Sequence, residues 1–484
     1  MPSRVLMIST NQELAPQPVL PVGAAWVAQA LHQAGFEVKF LDLCFEKDPA
    51  NLIQKAIQTF RPDGIGISIR NLDNCDFLYP KSYLAEIRHL TDFLKFRTSA
   101  PILLGGSGVS IMPLQVLEFL DLDYAVVGEG EVAAVQFFQS VKAGEGRIPG
   151  LVCRGTTMVD TVPLRTNPNP VMPQLHRWVD TSSYLGFEPV IPIQGKRGCA
   201  NRCLYCTYHT IEGKEWRPRE PAQVVDEIAI AMTITGAKEF EFVDSVFNQP
   251  EGYLETLLEQ IIRSRVQVRL HVSSLSPKGL TKEQVQLMER AGIISVVITP
   301  EAAADETLTA LCKDFSAADV ERASQLLGRS SIKALWCFLL GGPQEDEKTL
   351  AKTIRFINQR ITSKDSAFLT TGIRIYPATG LHELAIKEGF VAPMENLLMP
   401  AFYFSPRLTL PQARSILQHG LDHPERCIFL SDTRLGSIGF FRRLSVMLGL
   451  PTPFWQYSGY MNRLMAGRRI ISRTWLRSGA RKKK

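Results

Sequence analysis

The sequence predicts an α/β fold. It has a doubly wound parallel-sheet domain over residues 1–150, a linker over 151–188, a partial (β/α)6 barrel over 189–400 and a basic, mostly helical region over 401–484. Three observations carry this reading. Short apolar runs alternate with helical patterns from Arg4 to Val127, six prolines interrupt the chain between Pro149 and Pro189, and the alternation resumes from Pro189 to Tyr376. Strand and helix in alternation indicate parallel sheets, and clustered prolines mark the connection between two of them.

In the first domain Arg4 to Ile8 reads as a buried strand, Ala24 to Ala34 as a helix ending at Gly35, and Glu37 to Leu41 as the second strand. Leu52 to Phe60 is a helix, and Gly64 to Ile69, Pro101 to Leu104 and Tyr124 to Val127 are further strands. Doubly wound sheets bind ligands at the carboxyl ends of their strands. Gly105-Gly106-Ser107-Gly108 sits at such an end, where glycines let backbone approach a ligand closely. A hairpin is expected over Leu151 to Pro163. The barrel opens with strand Pro189 to Gly195. Strands Glu239 to Asp244, Gln267 to Ser274, Ile294 to Thr299, Lys333 to Leu340 and Ala367 to Tyr376 follow, each after a helix. Polar residues at barrel strand ends are where chemistry is sited.

The first barrel strand delivers Gly198-Cys199-Ala200-Asn201-Arg202-Cys203-Leu204-Tyr205-Cys206, which holds three of the chain's nine cysteines in the spacing CxxxCxxC. Three thiolates on one loop can hold a four-iron cluster with one iron left open. A structural zinc site would need a fourth Cys or His at a matching spacing, and His209 is the one neighbour of that type. Cys44, Cys75, Cys153, Cys312, Cys337 and Cys427 read as core or incidental thiols, with Cys337 packed inside a strand. Scattered cysteines form no disulfide framework, no run of eighteen apolar residues appears, and the N-terminus lacks a signal-peptide layout, so a cytoplasmic protein is expected.

At Cys199, Cys203, Tyr205 and Cys206 the chain resembles the radical S-adenosylmethionine (SAM) enzymes, whose hallmark is CxxxCxΦC with an aromatic at Φ. The resemblance implies that Cys199, Cys203 and Cys206 bind a [4Fe-4S] cluster and that Tyr205 lies beside the adenine of SAM. It implies further SAM contacts at Asp244, Ser245, Ser273, Glu301 and Arg374, Glu301 meeting the ribose. Pro21-Val22-Gly23, Gly66-Ile67-Ser68, Leu104-Gly105-Gly106 and Val127-Gly128-Glu129-Gly130-Glu131 occur in the order seen in the Rossmann-like cobalamin-binding domains fused to many of these enzymes. By that resemblance Gly23, Ser68, Arg70, Asn71, Gly105, Gly106, Ser107, Gly128 and Glu129 line the cobalamin site. The DxHxxG motif that supplies a histidine to cobalt is absent, since Asp42 is followed by Leu43, Cys44, Phe45, Glu46 and Lys47. Arg70 and Asn71 are the residues expected to face the metal.

The resemblance implies a cobalamin-dependent radical SAM enzyme that methylates an unactivated carbon through a 5′-deoxyadenosyl radical and methylcobalamin, fed by a low-potential donor such as flavodoxin or ferredoxin. The alternatives are a radical cyclase or ring-rearranging enzyme, a tRNA methylthiotransferase with a second cluster on Cys44, Cys75 and Cys153, and a cobalamin-binding sensor. The tail bears on the substrate. Twelve of the 54 basic residues lie beyond Asp432, the last acidic one, leaving 42 basic against 48 acidic before it. Apolar and aromatic residues are interspersed with that charge, as in a segment that rests on an anionic membrane. A small-molecule or lipid substrate and contact with a membrane surface are therefore expected, with nucleic acid the disfavoured partner.

Overall fold

The structure, a computed structural model, describes residues 3–140, 148–155, 165, 174–431 and 435–459, with side chains at 435–438 excepted. Two parallel sheets dominate it. In the first, strand Arg4–Ser9 lies between Glu37–Asp42 and Gly64–Ser68, and Ile102–Gly105 and Tyr124–Val126 extend the sheet in parallel. The strand order reverses between Arg4–Ser9 and Gly64–Ser68, and that switch point is where doubly wound sheets open a crevice. A sixth strand, Leu151–Cys153, pairs antiparallel with Tyr124–Val126. It belongs to this sheet and moves the domain border past 150; the rest of the expected hairpin lies outside the described residues.

The second sheet has seven parallel strands rather than six. Val190–Ile193, Glu239–Phe242, Arg269–Leu275, Ile293–Glu301, Lys333–Leu340 and Ser366–Thr371 follow one another in space as in sequence, and Cys427–Phe429 closes the far edge. The sequence pattern missed this last strand because three residues are too short for a periodicity. The sixth strand is also shorter than expected. It stops at Gly372, and Ile373–Arg374 turns out of the barrel to pair antiparallel with Phe402–Tyr403.

Period-two alternation explains how the barrel is built. Along Lys333–Leu340, Ala334, Trp336, Phe338 and Leu340 are buried against the outer helices, while the residues between them are partly accessible. Leu335 and Cys337 among them face the lumen, which is hollow. Cys337 is one of these residues and lines the internal cavity, correcting the expectation of a packed core thiol. Side chains usually fill the interior of a parallel barrel, so an open lumen is a binding space.

The C-terminal region closes the barrel floor. Helices Leu410–Gly420 and Leu435–Met447 precede a strap at Pro451–Tyr457, in which buried Thr452 donates to Glu239 and Phe454 is buried. Glu239 in turn accepts from His271 at 3.0 Å, and His271 meets the Ser295 hydroxyl at 2.7 Å. The apolar run and basic cluster beyond residue 459 lie outside the described residues.

The two domains are joined by buried ion pairs. Arg374 donates to Asp73 of the first domain at 2.9 Å and to the Leu397 carbonyl at 2.7 Å, with both charged side chains almost fully buried. Removing one partner of a buried pair strands the other charge and costs about 3–5 kcal/mol. Arg374→Ala should therefore lower the unfolding free energy of the cofactor-free protein, read by urea denaturation, by that order, and an unchanged value would show that the pair with Asp73 does not hold the domains together.

Candidate active site

The cysteine loop is fixed by backbone geometry. Gly198 has φ of +84° and packs so closely on the Glu215 carbonyl that a Cβ there would lie 1.8 Å from the oxygen. Its amide donates to Glu212 at 3.0 Å, the Cys199 amide to Gly213 at 3.1 Å, and the Leu204 amide to Leu311 at 2.9 Å. Cys199, Cys203 and Cys206 form no disulfide, and burial is the largest cause raising each thiol's pKa, with Cys203 adding to it at Cys199 and both Cys203 and Cys199 adding to it at Cys206, which is pushed up to about 11. Among the described residues no three His, Cys, Asp or Glu side chains converge on a single ion, which zinc would require. Three free thiols around one loop fit an iron-sulfur cluster, whose irons spread the ligands apart.

Beside this loop stands a triad that the spacing of residues did not announce. The Tyr205 hydroxyl donates to Glu301 at 2.6 Å, and Lys313 donates to Tyr205 at 3.1 Å and to Glu301 at 3.4 Å. Lys313 is deeply buried. Burial opposes its charge, but Glu301 and the neighbouring Cys203 outweigh that and raise its pKa. Glu301 has φ of +70°, at a register shift ending the fourth barrel strand. A non-glycine residue held there costs about 1–3 kcal/mol, and such strain collects at functional sites. The triad thus places Tyr205 and Glu301 together, as expected of two SAM contacts, and adds a cation.

The remaining SAM candidates are engaged elsewhere. Asp244 accepts from the Gly195 and Lys196 amides at 2.7 and 3.1 Å and from the Lys196 ammonium at 3.0 Å, with both side chains fully buried. It holds the strand end together and is not the open acid the sequence suggested. Ser245 donates to the Gly198 carbonyl at 2.7 Å and so braces the cysteine loop, while Ser273 donates to Phe242 at 2.9 Å. Arg374 is carried off the strand end by the break at Gly372 and pairs with Asp73.

The cobalamin set, by contrast, is gathered around one cavity of about 1250 Å³. Gly23, Ser68, Arg70, Asn71, Gly105, Gly106, Ser107, Gly128 and Glu129 all line it. Gly106, with φ of +100°, sits where a Cβ would meet the Ile69 carbonyl at 2.5 Å, while open space lies above Gly23 and Gly105. The volume exceeds the range of a drug-sized pocket, and the floor of strand ends and glycines fits a large cofactor lying against backbone. Arg70 is exposed to this cavity, and the loss of bulk water lowers its pKa. Glu129 has a second employment: it takes Arg197 at 3.2 Å and Arg217 at 3.1 Å, and Glu131 takes Arg197 at 2.6 Å.

Comparison with known proteins agrees with both halves. Residues 13–138 match the B12 binding domain family and residues 193–357 the radical SAM superfamily. The chain belongs to the cobalamin-binding radical SAM enzymes. Their cofactors are a [4Fe-4S] cluster, SAM and cobalamin, and the residues above fit them. The enzyme is 25% identical to the tryptophan 2-C-methyltransferase of Streptomyces laurentii over 78% of this chain and 73% of that one. It is also 25% identical to the anaerobic magnesium-protoporphyrin IX monomethyl ester cyclase of Rubrivivax gelatinosus, over 69% of this chain and 61% of that one. Its fold superposes on the radical SAM methyltransferase TsrM of Kitasatospora setae with a TM-score of 0.82 at 24% identity, covering 97% of this chain and 99% of that one. The cobalamin-dependent enzyme OxsB superposes at 0.69 with 15% identity, over 96% and 72% of the two chains.

Lys313→Met should strand Glu301 as a buried carboxylate and destabilise the cofactor-free enzyme by about 3–5 kcal/mol. Adding Glu301→Gln should restore a large part of that loss, a coupling of about 1–3 kcal/mol in a double-mutant cycle read by urea unfolding. Additive losses would show that the two groups do not interact.

Proposed function

We propose that this enzyme transfers a methyl group by way of cobalamin to a carbon of an apolar small molecule held in the barrel lumen. The carrying observation is the continuity of the cavity. It runs from the strand ends of the first sheet at Ser9, Ser68 and Gly105 into the barrel, where Val243, Val297, Leu335 and Phe368 line it. When bound, the cluster and SAM supply hydrogen abstraction and cobalamin carries the methyl group. The protein's part is positional. Cys199, Cys203 and Cys206 would hold the cluster, Tyr205 and Glu301 would take SAM, and the strand ends of the first sheet with Arg70 would hold cobalamin. The apolar wall keeps water away from the reacting carbon.

Relatives named for methyl transfer, among them an uncharacterized methyltransferase of Pyrococcus horikoshii 24% identical over 77% of this chain and 80% of that one, support transfer over cyclisation. A second cluster is disfavoured by geometry. Cys44 follows one edge strand of the first sheet and Cys153 lies on the opposite edge, five strand spacings or roughly 24 Å away. The reconstituted enzyme given SAM, cobalamin and a low-potential donor such as ferredoxin or flavodoxin should release S-adenosylhomocysteine in step with formation of methylcobalamin. 5′-Deoxyadenosine without S-adenosylhomocysteine would assign the enzyme to cyclisation or rearrangement instead.

The apolar substrate reading has support at the surface. Phe440, Leu444, Met447 and Leu448 form an exposed stripe on helix Leu435–Met447 and its end, beside exposed Arg443, and Met447 keeps 83% of its surface accessible. We infer that this stripe rests on a lipid surface, helped by the basic residues beyond it in sequence. Met447→Glu should weaken sedimentation with anionic phosphatidylserine vesicles several-fold, and equal sedimentation of the two proteins would remove the basis for peripheral membrane contact. No helix among the described residues is long and apolar enough to cross a membrane.

A further inference from the structure

Two carboxylates stand on one face of the second barrel strand, Glu239–Phe242, and their situations differ. Glu239, at the floor, is partnered by His271, Thr452 and, at 3.4 Å, Arg269. Burial works to raise its pKa, but His271 and Thr452 outweigh that and hold it below the ordinary glutamate value. Glu241, two residues on and so on the same face, lines the cavity and has neither a hydrogen bond nor an ion pair among the described residues. Its closest charged company is Glu188 and Arg442, which pair with each other, while His271 on the adjacent strand is taken by Glu239. Arg442 also keeps a buried Nε without a partner. Among the described residues, two carboxylates stand against one guanidinium here, one positive charge short of balance. Burial of a charge without a partner is costly, and interiors normally avoid it.

We propose that Glu241 anchors the substrate by receiving a protonated amine at the end of an apolar molecule. This rests on the reading of the lumen as the substrate's space and deepens it. Glu241 lies four residues before Ser245, whose hydroxyl touches the cysteine loop, so the anchor sits at most roughly 13 Å below the level of that loop. Val243, Val297, Leu335 and Phe368 line the way between. The substrate is then an amphiphile: a reacting carbon at the strand ends, an apolar stretch of about that length, and a cationic amine at the far end. Desolvation, with Glu188 adding to it and Arg442 opposing, pushes the Glu241 pKa up to about 7, so at neutral pH an arriving ammonium would draw the carboxyl into its charged form.

The test uses the reconstituted holoenzyme at pH 8 and two probes of equal length, n-octylamine and n-octanol, titrated by calorimetry. The wild type should bind the amine at least tenfold more tightly than the alcohol. Glu241→Gln should abolish that preference and leave octanol binding unchanged, while Glu188→Gln should keep the preference. Equal binding of the two probes by the wild type, binding of neither, or a preference that survives Glu241→Gln overturns the proposal. Octanol binding without amine preference would sink the anchor alone and leave the apolar lumen standing. A second readout needs no ligand. The folded protein holds the Glu241 proton between the unfolded value near 4.5 and about 7, so this group's contribution to stability falls as pH rises through that window. Glu241→Gln should therefore gain in urea midpoint relative to wild type at pH 8 compared with pH 5. No such gain would show that the carboxylate is partnered after all.

Discussion

The interaction on which the rest of the structure depends is the grip of Glu129 and Glu131 on Arg197. Glu129 stands on the loop after the first sheet's last parallel strand and Glu131 opens the helix that follows, and Arg197 is two residues before the first cluster cysteine. Burial works against the Arg197 charge, yet Glu131 and Glu129 outweigh it and raise its pKa. The guanidinium also lies 4.7 Å from the centre of the Trp26 ring, which Arg219 approaches from 5.6 Å. A buried network of this kind adds less to stability than it does to geometry, because each charge is paired only in one arrangement of the two domains. It therefore fixes the distance between the two cofactor sites. Arg217 and Arg165, converging on the same Glu129, tie the far side of the cysteine loop to that arrangement.

Once the domains are locked, the hollow barrel follows from the residue pattern of its strands. Outward positions such as Trp336 and Phe338 are large and fully buried, so the wall is stable without a filled lumen. Inward positions such as Val243, Val297 and Cys337 are too small to meet across the axis. The floor would then stand open to water, and the Thr452 strap, bonded to Glu239 and backed by His271 and Ser295, seals it. A lumen shut below and faced by a cofactor domain above is a dry reaction space.

Much of this was legible in the sequence. The alternation of periods gave both sheets, the CxxxCxxC loop stood out by spacing alone, and glycine at successive strand ends located the cobalamin-facing cavity. What escaped was decided by tertiary contact. Asp244 reads as an open acid until Lys196 is seen beneath it, and neither residue's neighbours in sequence reveal the pair. Arg374 reads as a strand-end ligand until Gly372 diverts the chain. Lys313 lies on no periodic element, and Glu241 looks like any polar residue in an alternating strand, because a hollow lumen and a packed one have the same sequence period.

The charges around the cysteine loop obey one rule. Asp244 is paired with Lys196, Glu301 with Lys313, and Glu129 and Glu131 with arginines, while Glu212 takes the Gly198 amide and Gln194 at 3.0 Å each. Burial pushes the Glu212 pKa up to about 7. A cluster with three thiolates adds negative charge to this region, and an acid left unpaired there would repel it. Pairing Asp244, Glu301, Glu129 and Glu131 in advance reduces that repulsion while keeping polar groups at the strand ends. Glu241 departs from the rule deep in the lumen, away from the cluster, where negative charge does not oppose the cofactor and remains available to a cation brought in from outside.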